Sequence, residues 1–400
     1  MQAFTRTERN VVFACVSSWM LDAFDFFILV FVLTQISKTF STALSSVSVA
    51  LTLTLAARPI GAFIFGRAAE KYGRKPVLMA NILSFTSMGL LAAFSPNLII
   101  FLILRFIYGI PMGGIWGVAS SLAMETISQE KRGFVSGMFQ AGYPAGYLLA
   151  AIVNYLFLDA LGWRGLFILG ALPALLVIFI YYKVPESPSW QAVKTHTASI
   201  SLWKTIQNHF VVCLFAVLLM TCFNFFSHGT QDLYPTFLEV NHHLDHKQFS
   251  VIAIFYNIAG ILGGLFFGSI SQYLGRRQAI MLAAVLAIPV IPLWAFSSSI
   301  WGLGIGAFII QFMVQGAWGV VPAYLNELMP EGTKATLSGL VYQTGNLFAS
   351  VNAILQPTIA SQFDNNYGIA MAMVTGTIAI CLIILMFVGK TFPKTHPDFV

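Results

Sequence analysis

Long apolar runs recur along the chain and are separated by short polar segments. A helix needs about 20 predominantly apolar residues to cross a bilayer, and these runs have about that length. The pattern therefore predicts an all-α integral membrane protein with twelve transmembrane helices. The predicted spans are 11–34, 45–66, 77–95, 98–123, 134–158, 164–183, 210–234, 249–271, 278–296, 301–325, 336–360 and 367–389.

Composition and charge support this prediction. Hydrophobic residues make up 58% of the 400 positions and charged residues 9%, against roughly 25% charged residues in an average soluble protein. Most of the 21 Lys and Arg residues lie on the side of the N-terminus, and the opposite loops hold only Lys38, Arg164 and Lys247. The positive-inside rule then predicts a multi-pass protein of the plasma (inner) membrane with both termini in the cytoplasm. Because the basic balance has this topological origin, we expect no nucleic-acid partner.

The two halves of the chain repeat each other at an offset of 202 residues. The aligned pairs are Gly66 and Gly268, Gly73 and Gly275, Arg74 and Arg276, Trp116 and Trp318, Glu125 and Glu327, and Arg132 and Lys334. One gapless offset indicates a duplicated six-helix unit. We therefore predict an N-terminal bundle over 1–184, a polar linker over 185–208 and a C-terminal bundle over 209–400. Since one chain holds both halves, we expect a monomer.

The segment 66–75, with Gly66, Glu70 and Gly73, resembles the loop signature of the major facilitator superfamily. Arg105, followed by two glycines at four-residue intervals, is similar to the fourth-helix motif of that superfamily. The resemblance implies two pseudo-symmetric six-helix bundles around a central cavity that opens alternately to the two sides of the membrane.

Charged residues in the repeated loops can bond helix ends and carboxylates of neighbouring helices. Such contacts can form in one conformation and break in another, which predicts a latch in the transport cycle. The alternative is topological anchoring by positive charge. The candidate latch residues are Gly66, Glu70, Gly73, Arg74, Glu125, Arg132, Arg276 and Glu327.

Polar residues are concentrated near the end of the seventh span, at Asn224, Ser227, His228, Gln231 and Asp232. This pattern resembles the motif of proton-coupled monocarboxylate permeases of the fungal lactate/pyruvate type, which are relatives of the sialate:proton symporters. The resemblance implies that these residues handle protons and a carboxylate. Three of them, Asn224, His228 and Asp232, share one helical face, and histidine changes charge near physiological pH. The alternative is a His–Asp pair that only satisfies itself.

Two carboxylates and two arginines also interrupt apolar spans, where ionisable groups are costly and usually functional. Asp22 and Asp25 are three residues apart and face the same way, and their spacing resembles the first-helix pattern of aromatic-acid and sialate proton symporters. Arg58 is the preferred cation for a substrate carboxylate, which arginine can bind bidentately. In the resemblance Arg105 is a structural or coupling residue. The alternative for these groups is static pairing, and which of Asp22, Asp25 and His228 carries the proton stays open.

Other polar positions are weaker candidates. Those in the fifth, tenth and eleventh spans are Gln140, Asn154, Gln311, Gln315, Tyr342, Gln343, Asn346, Asn352 and Gln356. The segment 242–246 contains three histidines and Asp245, but a solvated loop is favoured over a metal site. We expect no metal and no cofactor. No phosphate-binding loop and no nucleophile–base set is recognisable, so we expect a protein that is not an enzyme.

These observations predict a secondary active transporter for proton-coupled uptake of a small monocarboxylate such as lactate or pyruvate. Its partners would be the acid, protons and the lipid bilayer. One alternative is a symporter for sialic acid or another sugar or aromatic acid. Another is a proton-driven exporter, and a third, from a different class, is a membrane sensor with a transporter fold.

Overall fold

The computed structural model describes residues 4–42, 44–194, 202–244, 246–330 and 332–389, and within them the secondary structure is helical. The first helices are α1 (Arg6–Phe40), α2 (Leu44–Tyr72), α3 (Arg74–Ala93), α4 (Leu98–Thr126), α5 (Arg132–Leu169), α6 (Ala174–Lys183), α7 (Pro188–Lys194) and α8 (Leu202–Asn208). They are followed by α9 (Phe210–Gln231), α10 (Tyr234–Val240), α11 (His246–Leu274), α12 (Arg276–Ala287), α13 (Ile291–Phe296), α14 (Ile300–Leu328), α15 (Lys334–Ala349), α16 (Asn352–Ser361) and α17 (Tyr367–Val388). Short 3-10 turns cover Gln129–Lys131 and Ile288–Val290.

All twelve predicted spans fall on helices. Among the described residues, ten helical segments are long and apolar enough to cross a membrane. The other two spans lie in α5 and in the pair α15 and α16. The all-α membrane fold is therefore confirmed. Several helices are irregular: α5 consists of two helical segments that meet at the non-helical Gly162, where φ is 62°. The sixth span is interrupted between α5 and α6, the ninth contains a 3-10 turn at Ile288–Val290, and the eleventh is interrupted between α15 and α16.

Two glycines open equivalent helices in the two halves. Gly73 precedes α3 with φ 110°, and Gly275 precedes α12 with φ 95°. Both values lie in the left-handed region that glycine enters without steric cost. The two positions are related by the 202-residue offset, so the same loop conformation occurs twice.

Close packing of α2 on α4 positions both buried arginines. A Cβ atom at Gly109 would overlap the carbonyl oxygen of Thr54, and one at Gly113 would overlap that of Arg58. The hydroxyl of Thr54 also donates to the carbonyl of Arg105 at 3.1 Å. Small residues allow helix backbones to approach closely in membranes, and here they fix Arg58 and Arg105 on facing helices.

The same helix contact recurs in the second half. A Cβ atom at Gly61 would overlap the carbonyl oxygen of Ile110, and one at Gly263 would overlap that of Phe312. Both members of the second pair follow those of the first by the sequence offset. The duplication seen in the sequence is therefore also a duplication of helix packing.

The contacts divide the chain into two compact units. The first consists of Met1–Ser128, Gly142–Asn208 and Met329–Gln343, and the second of Gln129–Ala141, His209–Leu328 and Thr344–Val400. The predicted bundle boundaries follow the sequence repeat and stay a prediction. In the first unit an aromatic group of Phe40, Phe101, Trp163 and Phe167 packs with ring centroids 5.7–6.2 Å apart.

Candidate functional site

Four ionisable side chains form a buried charge cluster in the first unit. Asp22 and Asp25 lie on α1, Arg58 on α2 and Arg105 on α4. The exposed fractions are 0%, 0%, 3% and 0%, respectively. Two negative and two positive groups are thus removed from solvent together, and buried charges persist in proteins when they compensate one another.

The two carboxylates of the charge cluster have different principal partners. Asp22 interacts most strongly with the charge of Arg58, whereas Asp25 interacts most strongly with that of Arg105. Within the described residues, no carboxylate oxygen of either aspartate has a hydrogen-bond partner, and neither do Nε and Nη2 of Arg58 or any guanidinium nitrogen of Arg105. The groups compensate each other's charge at a distance while their hydrogen-bonding capacity stays available.

Aromatic rings cover the two guanidinium groups. The Arg58 guanidinium lies 6.0 Å from the centroid of Tyr342, which itself packs at 4.8 Å on Trp116. The Arg105 guanidinium lies 3.9 Å above the ring of Tyr108. Cation–π contacts of this kind stabilise a cation most when solvent is excluded. They hold the arginines while Nε and Nη2 of Arg58 and the guanidinium nitrogens of Arg105 stay without hydrogen-bond partners among the described residues.

A polar chain in the second unit is centred on His228. Its Nδ1 lies 3.2 Å from Asp232 Oδ1, and its Nε2 lies 3.2 Å from Asn346 Oδ1. Both ring nitrogens therefore lie within hydrogen-bonding distance of a side-chain oxygen, one from a carboxylate and one from an amide. The side chains of His228 and Asp232 are 36% and 43% exposed, so this pair is accessible to water.

An amide network lies beside His228 in the same unit. Gln231 Nε2 donates to Ser227 Oγ at 3.2 Å and to Gln311 Oε1 at 3.0 Å. Gln311 Nε2 donates to Thr230 Oγ1 at 2.9 Å, and Gln315 Nε2 donates to Ser227 Oγ at 3.2 Å. The network joins two helices, α9 and α14. Its side chains bring amide and hydroxyl groups together, which are among the polar groups that orient ligands in binding sites.

Asn224 occupies a different environment from the rest of the seventh-span motif. It is 2% exposed, and its Nδ2 donates to the carbonyl of Met220 in its own helix at 2.7 Å. One turn of helix separates it from His228, as the spacing predicts. Its substrate role stays a prediction.

The structure brings most of the predicted latch residues into contact. Arg74 donates from Nε and Nη2 to the two oxygens of Glu125 at 3.1 and 3.0 Å. In the second half, Arg276 Nη2 donates to Glu327 Oε1 at 2.9 Å. Both pairs span the same separation in sequence, as the repeat predicts. Arg132 is not part of either pair, and its Nε has no hydrogen-bond partner among the described residues.

Gly66 and Glu70 of the candidate latch contact the start of α15 within the first unit. Glu70 Oε1 accepts a hydrogen bond from the backbone N–H of Thr336 at 3.1 Å, and Arg67 forms an ion pair with Glu70 at 2.7 Å. A Cβ atom at Gly66 would lie 2.5 Å from Thr336 Cα. A carboxylate at a helix N-terminus is electrostatically favourable. These contacts are compatible with a latch, and the latch role itself stays a prediction.

The histidine-containing segment 242–246 is described in part. The ring of His242 packs edge-on against Phe237 at 4.7 Å, and burial together with the neighbouring His243 lowers the pKa of His242. Asp245 lies outside the described residues. Among those that are described, no group of three or more His, Cys, Asp and Glu residues has the arrangement of a metal site.

Several site residues were only weaker candidates in the sequence. Tyr342, Gln311, Gln315 and Asn346 all interrupt apolar spans, which was their sequence signal. The sequence does not reveal their contact partners, because each of them contacts a residue on a different helix. Tyr108, which covers Arg105, carried no signal beyond lying one turn after it.

Comparisons with known proteins agree with this fold. The sequence matches the profile of the Major Facilitator Superfamily over residues 16–351 and 232–399. A carboxylic acid transporter protein homolog of Saccharomyces cerevisiae is 28% identical over 100% of this chain and 70% of its own length. The sialic acid transporter NanX of Escherichia coli is 28% identical over 96% of this chain and 95% of its own. The proton:xylose symporter XylE superposes with a TM-score of 0.75 at 18% identity, covering 97% of this chain and 96% of that chain.

The helical fold and its membrane-buried ionisable residues define a multi-pass membrane transporter. The chain belongs to the Major Facilitator Superfamily, whose profile covers most of its length. This is a family of transporters, not of enzymes, and the family predicted from the loop and fourth-helix motifs is confirmed.

Proposed function

We propose that this protein is a proton-coupled symporter that takes up a small monocarboxylate of the lactate or pyruvate kind by alternating access. The observation that carries the proposal is the state of Arg58. This arginine is almost fully buried, and two of its nitrogens are without hydrogen-bond partners among the described residues, beside an equally unpartnered Asp22. A buried guanidinium with available donors is a suitable receptor for a carboxylate.

The arrangement provides a direct route to coupling. When Asp22 is ionised, it offsets the charge of Arg58 and competes with an incoming carboxylate. Protonation of Asp22 removes that competition, so the acid binds Arg58 and the loaded cluster keeps its charge balance. Because a balanced cluster is cheaper to keep within the membrane than an unpaired charge, proton and substrate move together. Asp25 and Arg105 form a second carboxylate–guanidinium couple beside the first. The Asp25 carboxylate is therefore a second candidate proton carrier.

The second unit supports the proposal with its own titratable pair. His228 and Asp232 are partly exposed and hydrogen-bonded to each other, so this unit also contains an ionisable pair that water reaches. Ser227, Gln231 and Asn224 stay the candidate substrate-binding residues of this unit. The name of the yeast relative, a carboxylic acid transporter homolog, supports the same substrate class.

Uptake of sialic acid or another sugar acid is the second candidate function. The observation that favours it is the amide network, with Gln231, Gln311 and Gln315 presented on two helices. Hydroxyl-rich ligands require several such groups. The near full-length match to NanX also favours this candidate.

We also propose the plasma (inner) membrane as the location, with both termini in the cytoplasm and the monomer as the functional unit. The distribution of Lys and Arg between the two sides supports this orientation. Labelling of single cysteines introduced at Lys38 and at Lys71, in intact cells with a membrane-impermeant reagent, tests it. Reagent access to position 38 and not to position 71 is expected, and the reverse pattern would contradict the orientation.

The decisive experiment is uptake of labelled lactate into proteoliposomes with and without an inward proton gradient. We expect the gradient to stimulate uptake and unlabelled pyruvate to inhibit it. Stimulated uptake of sialic acid with no uptake of lactate would select the second candidate. Absence of gradient stimulation for both acids would refute symport.

The role of Arg58 is tested in the same vesicles. Loss of a charge-assisted hydrogen bond of about 1.5–3 kcal/mol predicts that Arg58→Ala lowers apparent affinity about 10- to 150-fold. Arg6→Ala is the matched control, because Arg6 is exposed at the start of α1. Normal affinity in Arg58→Ala would show that the carboxylate binds elsewhere.

A further inference from the structure

Two glycines flank the Asp25 carboxylate, one in α3 and one in the turn between α5 and α6. A Cβ atom placed on Gly89, in α3, would lie 3.0 Å from Asp25 Oδ2. A Cβ atom placed on Gly170, in the turn between α5 and α6, would lie 2.5 Å from Asp25 Oδ1. An alanine at Gly89 would therefore press on one carboxylate oxygen, and an alanine at Gly170 would overlap the other.

Of the two glycines, Gly89 has the more specific contact with Asp25. The three heavy atoms closest to its hypothetical Cβ are all atoms of the Asp25 carboxyl group, at 3.0, 3.5 and 3.7 Å. At Gly170 the carbonyl oxygen of Phe167 is also close, at 3.0 Å. An added methyl group at Gly89 thus meets the end of one rotatable side chain, which can turn away, whereas at Gly170 it also meets backbone.

The charged and titratable groups around Asp25 come from α1, α2 and α4. Arg105 and Tyr108 of α4 act on its carboxyl group, Asp22 lies one turn away on α1, and Arg58 of α2 is the principal charge partner of Asp22. Neither glycine contributes a charge. Their contribution is the volume that the carboxylate occupies, and a change there moves the carboxylate without altering any charged residue.

We propose that Gly89 and Gly170 are positioning residues for proton coupling, because they keep open the space that the Asp25 carboxylate occupies in the buried charge cluster. The inference rests on the proposed proton-coupled function. Alanine at either position displaces the carboxylate from this space. Coupling then weakens, while residues that bind the substrate stay unchanged.

The test compares two activities of the same purified, reconstituted variants. Gradient-driven uptake requires net proton movement, whereas exchange of internal for external substrate without a gradient does not. Gly89→Ala is expected to lower the ratio of gradient-driven uptake to exchange about fivefold or more, as overpacking of a filled site predicts, and to shift the pH profile of uptake. Gly376→Ala is the control, since its Cβ would meet only Ile291 Cδ1 at an ordinary 3.6 Å.

A double-variant comparison shows whether the effect acts through Asp25. Asp25→Ala removes the atoms that the new methyl group would strike. Gly89→Ala combined with Asp25→Ala should therefore have the coupling ratio of Asp25→Ala alone. A further loss of the ratio in the double variant would overturn the proposal, because the glycine would then act independently of Asp25.

The remaining outcomes separate the inference from the proposed function. If Asp25→Ala lowers the ratio while Gly89→Ala and Gly170→Ala both keep the wild-type value, the positioning role is wrong and proton coupling through Asp25 stands. If Asp25→Ala itself keeps the wild-type ratio and pH profile, Asp25 takes no part in coupling and the inference falls with it. Should Gly89→Ala fail to fold, Gly170→Ala provides the same readout.

Discussion

The buried Arg74–Glu125 ion pair allows a direct test of how buried charges contribute to the stability of this fold. Both side chains are 3% exposed, and the guanidinium donates to both carboxylate oxygens. Glu125 also accepts a hydrogen bond from the hydroxyl of Ser187. Replacing Glu125 with leucine leaves the buried Arg74 cation without this partner and leaves the Ser187 hydroxyl without its acceptor.

The expected cost follows from the burial of the pair. Removing one partner of a buried ion pair costs about 3–5 kcal/mol, whereas replacing both with apolar residues is often neutral. Glu125→Leu should therefore lower the free energy of unfolding by about 3–5 kcal/mol. The double variant Arg74→Met with Glu125→Leu should restore most of that loss.

The second half of the chain provides a matched comparison. The side chains of Arg276 and Glu327 are 9% and 11% exposed, and Arg276 also donates to Ser271 Oγ at 2.8 Å and to Gln272 Oε1 at 3.0 Å. Arg276 keeps those two acceptors after Glu327→Leu. The expected cost is therefore smaller, about 1–3 kcal/mol.

Reversible unfolding in mixed micelles, titrated with sodium dodecyl sulfate and followed by the fluorescence of the eight tryptophans, measures these differences. Two results would refute the reasoning. One is an equal loss in Glu125→Leu and in the double variant, which would mean that the buried cation is not the source of the cost. The other is an equal loss in Glu125→Leu and Glu327→Leu, which would mean that burial and alternative acceptors do not matter.

Two further substitutions test helix packing and the amide network. Gly113→Ala forces a methyl group onto a backbone carbonyl of α2 and should abolish monodisperse protein in gel filtration, whereas Gly376→Ala should elute as wild type; a wild-type profile for both would contradict the close approach of α2 and α4. Gln311→Leu leaves Gln231 and Thr230 each without one hydrogen-bond partner, and should cost about 1–3 kcal/mol in the same micelle titration. A change below about 0.5 kcal/mol, the usual range for an unimportant surface substitution, would show that the network is not a stabilising unit.

The repeat is the part of the fold that the sequence predicted in most detail. Because one offset relates both halves, the glycines, arginines and glutamates of the repeated loops could be matched before any contact was known. Arg74 pairs with Glu125, and Arg276 pairs with Glu327, as expected for residues on adjacent helices of one repeat. Local spacing carries this information since the partners belong to neighbouring elements.

The sequence predicted which residues belong to the charge cluster, but not how they pair. Asp22 and Asp25 share a helical face, yet their principal charge partners differ, being Arg58 and Arg105 respectively. This difference in partners depends on which neighbouring helix each carboxylate approaches, and the spacing of residues along one helix does not predict it. The contact between Arg58 and Tyr342 joins positions far apart in the chain, so no local pattern signals it.

The interruption between α15 and α16 was also outside the reach of sequence patterns. Residues 350 and 351 include neither glycine nor proline, which are the usual signals of a helix break. Ser350 Oγ donates to the carbonyl of Leu347 at 2.6 Å. A serine that bonds back to its own helix competes with the regular backbone ladder and bends the helix, but most such serines leave it intact.

The position of Ser187 has a consequence for biosynthesis. The network of Arg74, Glu125 and Ser187 can form once the ribosome has released the chain through Ser187, just after the sixth span. The residue 202 positions after Ser187 is Gly389, which has no hydroxyl, so the later network lacks that bond. The hydrogen bond from the backbone N–H of Thr336 to Glu70, in contrast, can form only after Thr336 has been synthesised. Domains form as units during synthesis, and here an early closure in the first half would hold its helices together while the remainder is inserted.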